Sequence, residues 1–519
     1  MSRRILLLAL LVFWALSLSG LRAVPVLHED ESWQASPAYK LSTQGVYGSD
    51  MFTGFFGMER HYYAFMPLYP LMLAGAFRLW GVGLFQARLV SLILALIVLS
   101  LTFALGRRLF GARAGAVAVL ILLLARLAAI NATHLTGIPL LDQARIVRYD
   151  IAVPVFGLAS LVAWLKAQTD GRAWRYLLSG ALAGLAGVSH LYGAFWLPAL
   201  LLLTLTARRS RHAFAWLVLG FILPWLPWLA YISTDVSDFI HQSRNYADRF
   251  DLLAPGFYLN NLATEVRRYA LNTGEAGGGM PLGLGTWCSV IGILAAPIAL
   301  AGRAWRGDWN ARAVVLPLAT IEALFALLLA LKTPSYAVTL WPLMAIAGGW
   351  GAVRLWARRR AWGRLLVIAS ALTVGLEGLW RIAGLLAAGP HTTPYEVYMA
   401  QVAEHIPPGA RVLGLQNYWL GLRHTDYRAL LVPFFLNDPR YTPHPLPLDQ
   451  ALEMQAADVV LIDVRMSAYL EEIAHPDHPD HAKWLAFWGF MERHQARLAA
   501  QVDDASYGPM RIYWLDGRD

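Results

Sequence analysis

Long apolar runs separated by arginine-bearing turns constrain this chain more than any other feature. A helix needs about 20 mostly apolar residues to cross a hydrocarbon core, where nothing but the chain itself can satisfy backbone polar groups. Eleven such runs are read at 5–27, 84–106, 113–133, 149–167, 174–190, 192–207, 213–233, 284–302, 312–331, 334–353 and 364–387. The fifth and sixth almost touch, around Ser189-His190. The chain is 57% hydrophobic and 15% charged, with mean hydropathy +0.46. Soluble domains carry about 25% charged residues, so the expected class is an α-helical polytopic membrane protein. Arg3-Arg4 before an apolar run imitates a secretory signal. That run is too long for a signal core, however, and Gly20-Leu21-Arg22-Ala23 is a poor cleavage site, so it reads as a retained first span.

Charge in the turns sets the expected orientation. With Arg3 and Arg4 inside, every second turn must also be inside, and those segments together hold 19 basic residues against Asp170 and Asp308. That is the positive-inside pattern. It places the N-terminus in the cytoplasm and puts the larger segments 28–83, 234–283 and 388–519 on the opposite face. The net charge of +9 therefore reports topology rather than a nucleic-acid surface. Cys288, the single cysteine, excludes an intramolecular disulfide and a multi-cysteine metal site.

The outer segments are not plain loops. Ser36-Pro37 reads as the cap and first residue of a short helix running towards Gly45, and Met66 to Val82 as a helix lying at the interface. Segment 234–283 reads as interfacial helices with a hinge at Gly277-Gly278-Gly279. From residue 390 Pro, His and charge rise. A helix over 396–405 and strands near 411–415, 459–463 and 511–515 predict a small extracytoplasmic α/β domain over 390–519. His475, His478 and His481 have regular spacing, but Pro476 and Pro479 interrupt any helix that could align them, so they read as a solvated loop.

The stretch that carries chemistry is His28-Glu29-Asp30-Glu31-Ser32-Trp33, where three carboxylates emerge from the first apolar run. A further acid, Asp150, enters a span on the same face behind Arg145 and Arg148. Carboxylates can deprotonate a hydroxyl or hold a metal, and arginines offer fork-shaped donors to a phosphate. His190 and Tyr192, at an outward junction, and Lys332, at an outward span end, could line the same pocket or merely cap and snorkel. Arg126, Glu322 and Glu377 fall inside predicted spans, where a charge costs about 2.5–3.5 kcal/mol, so they are functional candidates by default.

In this order the motifs resemble the GT-C glycosyltransferases, in particular the family-39 and ArnT-like enzymes that use polyprenyl-phosphate sugars. The resemblance rests on Asp30-Glu31 after the first span, Met66-Pro67-Leu68-Tyr69-Pro70 before a long helix, and Gly106 to Gly111 at the next turn. Arg148-Tyr149-Asp150, and Lys332 to Tyr336 with Trp341-Pro342, complete it over roughly residues 5–350. It implies a GT-C-like transmembrane domain over 1–389 in a bacterial inner (plasma) membrane, and inverting transfer of a sugar to an acceptor hydroxyl. Asp30 would be the base, Glu31 its support, and Arg145 or Arg148 would meet the leaving phosphate. Asp150 would assist at the acceptor or help hold a divalent metal ion whose ligands the sequence does not name. The implied partners are a polyprenyl-phosphate-linked sugar, membrane lipid, and a glycan, lipid or protein acceptor, with no nucleic acid. Tyr63-Ala64-Phe65-Met66 stands where ArnT-like enzymes carry Glu-Lys, which removes one expected metal or phosphate contact. Two other readings remain: a ligase or polymerase drawing on lipid diphosphates, and a transporter.

Overall fold

The computed structural model describes residues 2–127, 135–207, 211–244, 250–269, 283–358 and 360–516. Each of the eleven predicted spans contains a helix. Six helices among the described residues are long and apolar enough to cross a membrane: Leu84–Phe110, Tyr149–Asp170, His212–Ile232, Leu284–Trp305, Trp309–Leu328 and the long Ala361–Ala403. The other five segments hold shorter helices, among them Ala173–Ser189 and Trp341–Ala357. The last of these starts seven residues later than predicted. Pro334 and Pro342 both sit at helix starts, and a 3₁₀ turn over Pro334–Thr339 precedes the helix proper.

Two further departures shape the end of the bundle that carries the acidic stretch. The first helix, α1 (Ser2–Leu18), stops nine residues before the apolar run ends. Its last carbonyls lack partners within the helix, and Arg145 supplies them by donating to Leu16 O at 3.1 Å and Ser17 O at 2.8 Å. Arg145 also holds Ser19 O and Val24 O, both at 2.8 Å.

The second departure concerns α2 (Glu29–Gln44), which begins at the acids themselves and not at Ser36. His28 caps it by accepting from Asp30 N, while Glu31 reaches back to His28 N, and three carboxylates in the first turn suit the positive end of the helix dipole. Pro37 thus lies inside the helix, where it cannot donate to the carbonyl four residues back. That carbonyl, Trp33 O, instead accepts from the Tyr62 hydroxyl at 3.3 Å.

After α2 come α3 (Leu68–Trp80), α4 (Leu84–Phe110) and α5 (Ala112–Leu124). The weak junction between the fifth and sixth spans is a sharp break. The helix ends at Ser189, a 3₁₀ turn covers Leu191–Phe195, and the next helix starts at Trp196. Gly193 is required there, since a Cβ would lie 2.0 Å from Ala186 O. In 234–283 the structure shows helices Val236–Gln242 and Pro255–Thr264, and the expected glycine hinge lies outside the described residues.

Beyond Ala388 the chain builds a five-stranded sheet: β1 (Arg411–Gly414), β2 (Asp426–Ala429), β3 (Val459–Ile462), β4 (Arg497–Asp504) and β5 (Gly508–Trp514), in order β2-β1-β3-β5-β4. The first three strands are parallel and the last pairings antiparallel. Alternation along β3 serves two cores. Val460 and Ile462 pack with Phe487 and Phe490 of one helix, whereas Val459 and Leu461 join the cluster that continues into the helical domain. Strands β2 and β4 were not predicted, because their sequences, Asp426-Tyr427-Arg428-Ala429 and the polar Arg497–Asp504, lack apolar alternation. Of the three regularly spaced histidines, His475 and His478 sit in turns, His475 exposed, and His481 is the first residue of the helix His481–Arg493.

Candidate active site

The acidic turn and the Asp150 loop meet at one end of the helical bundle. Glu31 is fully buried and takes two hydrogen bonds from Arg88 of α4, at 2.9 and 2.7 Å. His28 N and Val147 N complete its acceptor capacity at 3.0 Å each. Arg88 donates further to Leu21 O and Pro25 O, so one guanidinium fastens the chain leaving α1 to the start of α2. Sequence reasoning passed over Arg88, although a charge inside the predicted span 84–106 was the available signal.

With Glu31 anchored below, Asp30 faces outward. Its carboxylate lies 2.9 Å from Arg148 Nη1, and Arg148 Nε donates to Asp150 Oδ2, also at 2.9 Å. The Tyr192 hydroxyl donates to the other Asp150 oxygen at 2.9 Å. A continuous chain Asp30–Arg148–Asp150–Tyr192 results. Exposure separates its acids, since the Asp30 side chain is 31% exposed and those of Asp150 and Glu31 are 0% exposed. Burial would lower the Arg148 pKa, but Asp150 and then Asp30 outweigh it and hold the guanidinium well above its ordinary value.

Aromatic rings wall this chain. Tyr149 and His190 have ring centroids 4.6 Å apart, His190 and Tyr192 4.0 Å, and His190 and Tyr336 5.2 Å. Phe65 and Trp33 extend the wall. His190 Nδ1 accepts from Tyr192 N at 3.3 Å, so a neutral ring carries its proton on Nε2.

Two expected phosphate ligands are placed elsewhere. Arg145 is fully buried, and both its terminal nitrogens are occupied by backbone carbonyls around the end of α1. Lys332 bonds to Glu265 Oε2 at 2.6 Å, within a separate cluster of Glu265, Arg268, Tyr269 and Glu322, and burial pulls its amine below the ordinary value. That cluster supplies a partner for Glu322, the Tyr269 hydroxyl. The other two charges within spans find each other, with Arg126 Nη1 3.0 Å from Glu377.

A candidate metal set was also missed. His61, Asp235 and Asp238 each offer one ligand atom within 4.8 Å of the others. His61 Nδ1 and Asp238 Oδ2 are buried without hydrogen-bond partners, which suits a cation, and Arg60 Nη2 stands 3.6 Å from Asp238 as its competitor. Burial, then Asp235, pushes the Asp238 carboxyl up. The set adjoins the aromatic wall through the chain, since Tyr63 N and His61 O are both tied to Gln242 and Phe65 follows two residues on. Asp235 and Asp238 share one helix start, but His61 lies far from them in sequence, so no spacing pattern announces the set.

Residues 66–231 match the sequence model of the family described as dolichyl-phosphate-mannose-protein mannosyltransferase. Among solved structures, ArnT from Cupriavidus metallidurans bound to undecaprenyl phosphate superposes with a TM-score of 0.60 at 16% identity, covering 99% of this chain and 98% of that one. The apo oligosaccharyltransferase of Archaeoglobus fulgidus gives 0.57 at 13% identity, covering 90% of this chain and 71% of that one. AglB of the same organism, in complex with an inhibitory peptide and a dolichol-phosphate, gives 0.56 at 13% identity, with the same coverage. No curated protein matches the sequence. The fold is the ArnT-like GT-C fold, an apolar helical bundle carrying a small C-terminal sheet domain, and the resemblance read from the sequence is borne out.

Proposed function

We propose that this membrane protein is an inverting glycosyltransferase that moves a sugar from a polyprenyl-phosphate donor to an acceptor hydroxyl on the extracytoplasmic face of the membrane. The observation that carries the reading is the contrast among three neighbouring acids: Asp30 alone is open to solvent, while Glu31 and Asp150 are buried and hydrogen-bonded. A group accepting a proton from substrate must be reachable, and groups that orient it need not be. Asp30 takes the proton of the acceptor hydroxyl as that oxygen bonds to the anomeric carbon. The bond from that carbon to the phosphate oxygen breaks on the opposite side, and the polyprenyl phosphate leaves with the electron pair. Arg148, fixed by Asp150 and Tyr192, and His190 through Nε2, face the developing phosphate charge. Arg145 belongs instead to the scaffold. The ArnT and AglB structures, which hold undecaprenyl phosphate and dolichol-phosphate, support a lipid-phosphate donor.

The test is to incubate purified protein with polyprenyl-phosphate and polyprenyl-diphosphate sugars, follow release of the lipid, and determine the anomeric configuration of the product. Release of polyprenyl phosphate with inverted configuration is expected. Retained configuration overturns the direct displacement, turnover restricted to diphosphate donors favours the ligase or polymerase reading, and sugar counterflow without bond cleavage favours a transporter.

A divalent cation fits His61, Asp235 and Asp238, because a nitrogen and two carboxylate donors suit zinc or manganese. Such an ion would supply charge to the outer loop beside the site. Binding of Mn²⁺, followed by its electron paramagnetic resonance signal, should be lost in His61→Ala, and equal binding in that variant removes these ligands from the account.

A further inference from the structure

We infer that the C-terminal domain is a positioning element for the acidic loop, with Gln416 and Asn417 holding the turn that presents Asp30. The inference rests on the reading of Asp30 proposed above. The sheet order makes the carboxyl end of β1 a switch point, since the chain leaves β1 for β2 on one side while β3 pairs on the other. In open α/β sheets the crevice outside such strand ends is where ligands are held. Here the residues immediately after β1 reach the helical domain. Gln416 Nε2 donates to Glu29 Oε2 at 3.0 Å, and Asn417 Nδ2 donates to Leu27 O at 3.3 Å. Both contacts span about 390 residues of chain. The edge that would hold a ligand in a free-standing domain of this kind holds the catalytic turn.

The contacts bracket Asp30. From one side Arg88 fixes Glu31, and from the other Gln416 and Asn417 fix Glu29 and Leu27, leaving the Asp30 carboxylate between two anchored neighbours. Tyr395 reinforces the clamp, with its hydroxyl donating to Asn417 O at 2.8 Å. The amides also incur a cost that packing alone does not explain. Gln416 and Asn417 are 2% and 5% exposed, and Gln416 Oε1 and Asn417 Oδ1 are buried without a hydrogen-bond partner. A buried carbonyl left unpaired is unfavourable. It is tolerated here because the other half of each amide is committed to the loop. Glu29, the exposed first acid of the turn, thereby becomes a docking point.

The charge on Glu29 makes the contact testable by exchange of partners. In Gln416→Glu two carboxylates face each other, whereas Glu29→Gln combined with Gln416→Glu restores one amide-to-carboxylate hydrogen bond in the reverse sense. Hydrogen–deuterium exchange over residues 27–33 and steady-state kinetics should be measured on the full-length protein in detergent. The single variant is expected to exchange about ten- to hundredfold faster in this turn, the factor set by a charge-assisted hydrogen bond. It should lose kcat by a similar factor with little change in donor KM, as expected when a base is displaced and donor binding is not. The paired variant should recover both. Unchanged exchange in Gln416→Glu, faster exchange without loss of kcat, or a paired variant no better than the single one overturns the positioning role. Absence of turnover by the wild-type protein on every lipid-linked donor would instead overturn the proposed reaction, and the exchange measurement separates the two failures.

Discussion

Replacing Arg88 by Met tests the scaffold beneath the site most sharply. Arg88 and Glu31 are both 0% exposed, and the arginine also satisfies Leu21 O and Pro25 O. Met preserves most of the volume and removes the charge, so Glu31 keeps two backbone donors and loses its counter-ion. Breaking a buried pair from one side costs about 3–5 kcal/mol, and two charge-assisted hydrogen bonds at about 1.5–3 kcal/mol each reach the same range independently. With 519 residues at about 2.1 cal/mol/K each, the unfolding entropy is about 1.1 kcal/mol/K, and the melting midpoint should fall by roughly 3–5 °C. Thermal unfolding in detergent, followed by tryptophan fluorescence, reads this directly. Glu31→Gln should cost less when added to Arg88→Met than alone, by about 1–3 kcal/mol, because both remove one interaction. A midpoint for Arg88→Met within about 1 °C of wild type, or strict additivity of the pair, would refute the reasoning.

Three further outcomes are expected. Arg126→Met strands Glu377, which keeps Thr286 N at 2.9 Å and Thr286 Oγ1 at 2.5 Å, and should destabilise by about 3 kcal/mol in the same assay, with Glu377→Gln milder. Tyr62→Phe uncovers Trp33 O and should cost about 0.5–1.5 kcal/mol, and Pro37→Ala, which restores the missing N–H, should reduce that cost in the double variant. Burial, opposed first by Thr136, pushes the Asp142 carboxyl up to about 7. A raised carboxyl favours the folded state below the ordinary value near 4 and loses that contribution as pH rises to about 7, so the midpoint should fall across this window and fall less in Asp142→Asn.

Much of the helical architecture was legible because twenty-residue apolar runs and their flanking arginines obey strong solvation rules. Three kinds of feature were not. The end of α1 is set by Arg145, 127 residues beyond Leu18, so hydropathy ran on through Leu27. The helix through Pro37 survives because Tyr62 caps the freed carbonyl, a contact that local propensity cannot see. Charges within spans announced a need for partners, but Arg126–Glu377 and Tyr269–Glu322 are made by packing between distant segments. At the site, Asp30 and Asp150 stood out because each acid lies at the outer edge of an apolar run. That Asp150 is buried under Tyr192 and that Arg145 faces α1 follow from how the loops fold over one another.

The central claim is that Asp30 is the base. Single-turnover transfer from a polyprenyl-phosphate sugar should be measured for wild type, Asp30→Asn and Asp150→Asn, with donor binding determined separately for each. General-base catalysis contributes about 10²- to 10⁴-fold, so Asp30→Asn should bind donor normally and transfer slower by at least about a hundredfold. Asp150→Asn should weaken donor binding as well, because it releases Arg148. Wild-type transfer rates in Asp30→Asn would contradict the account.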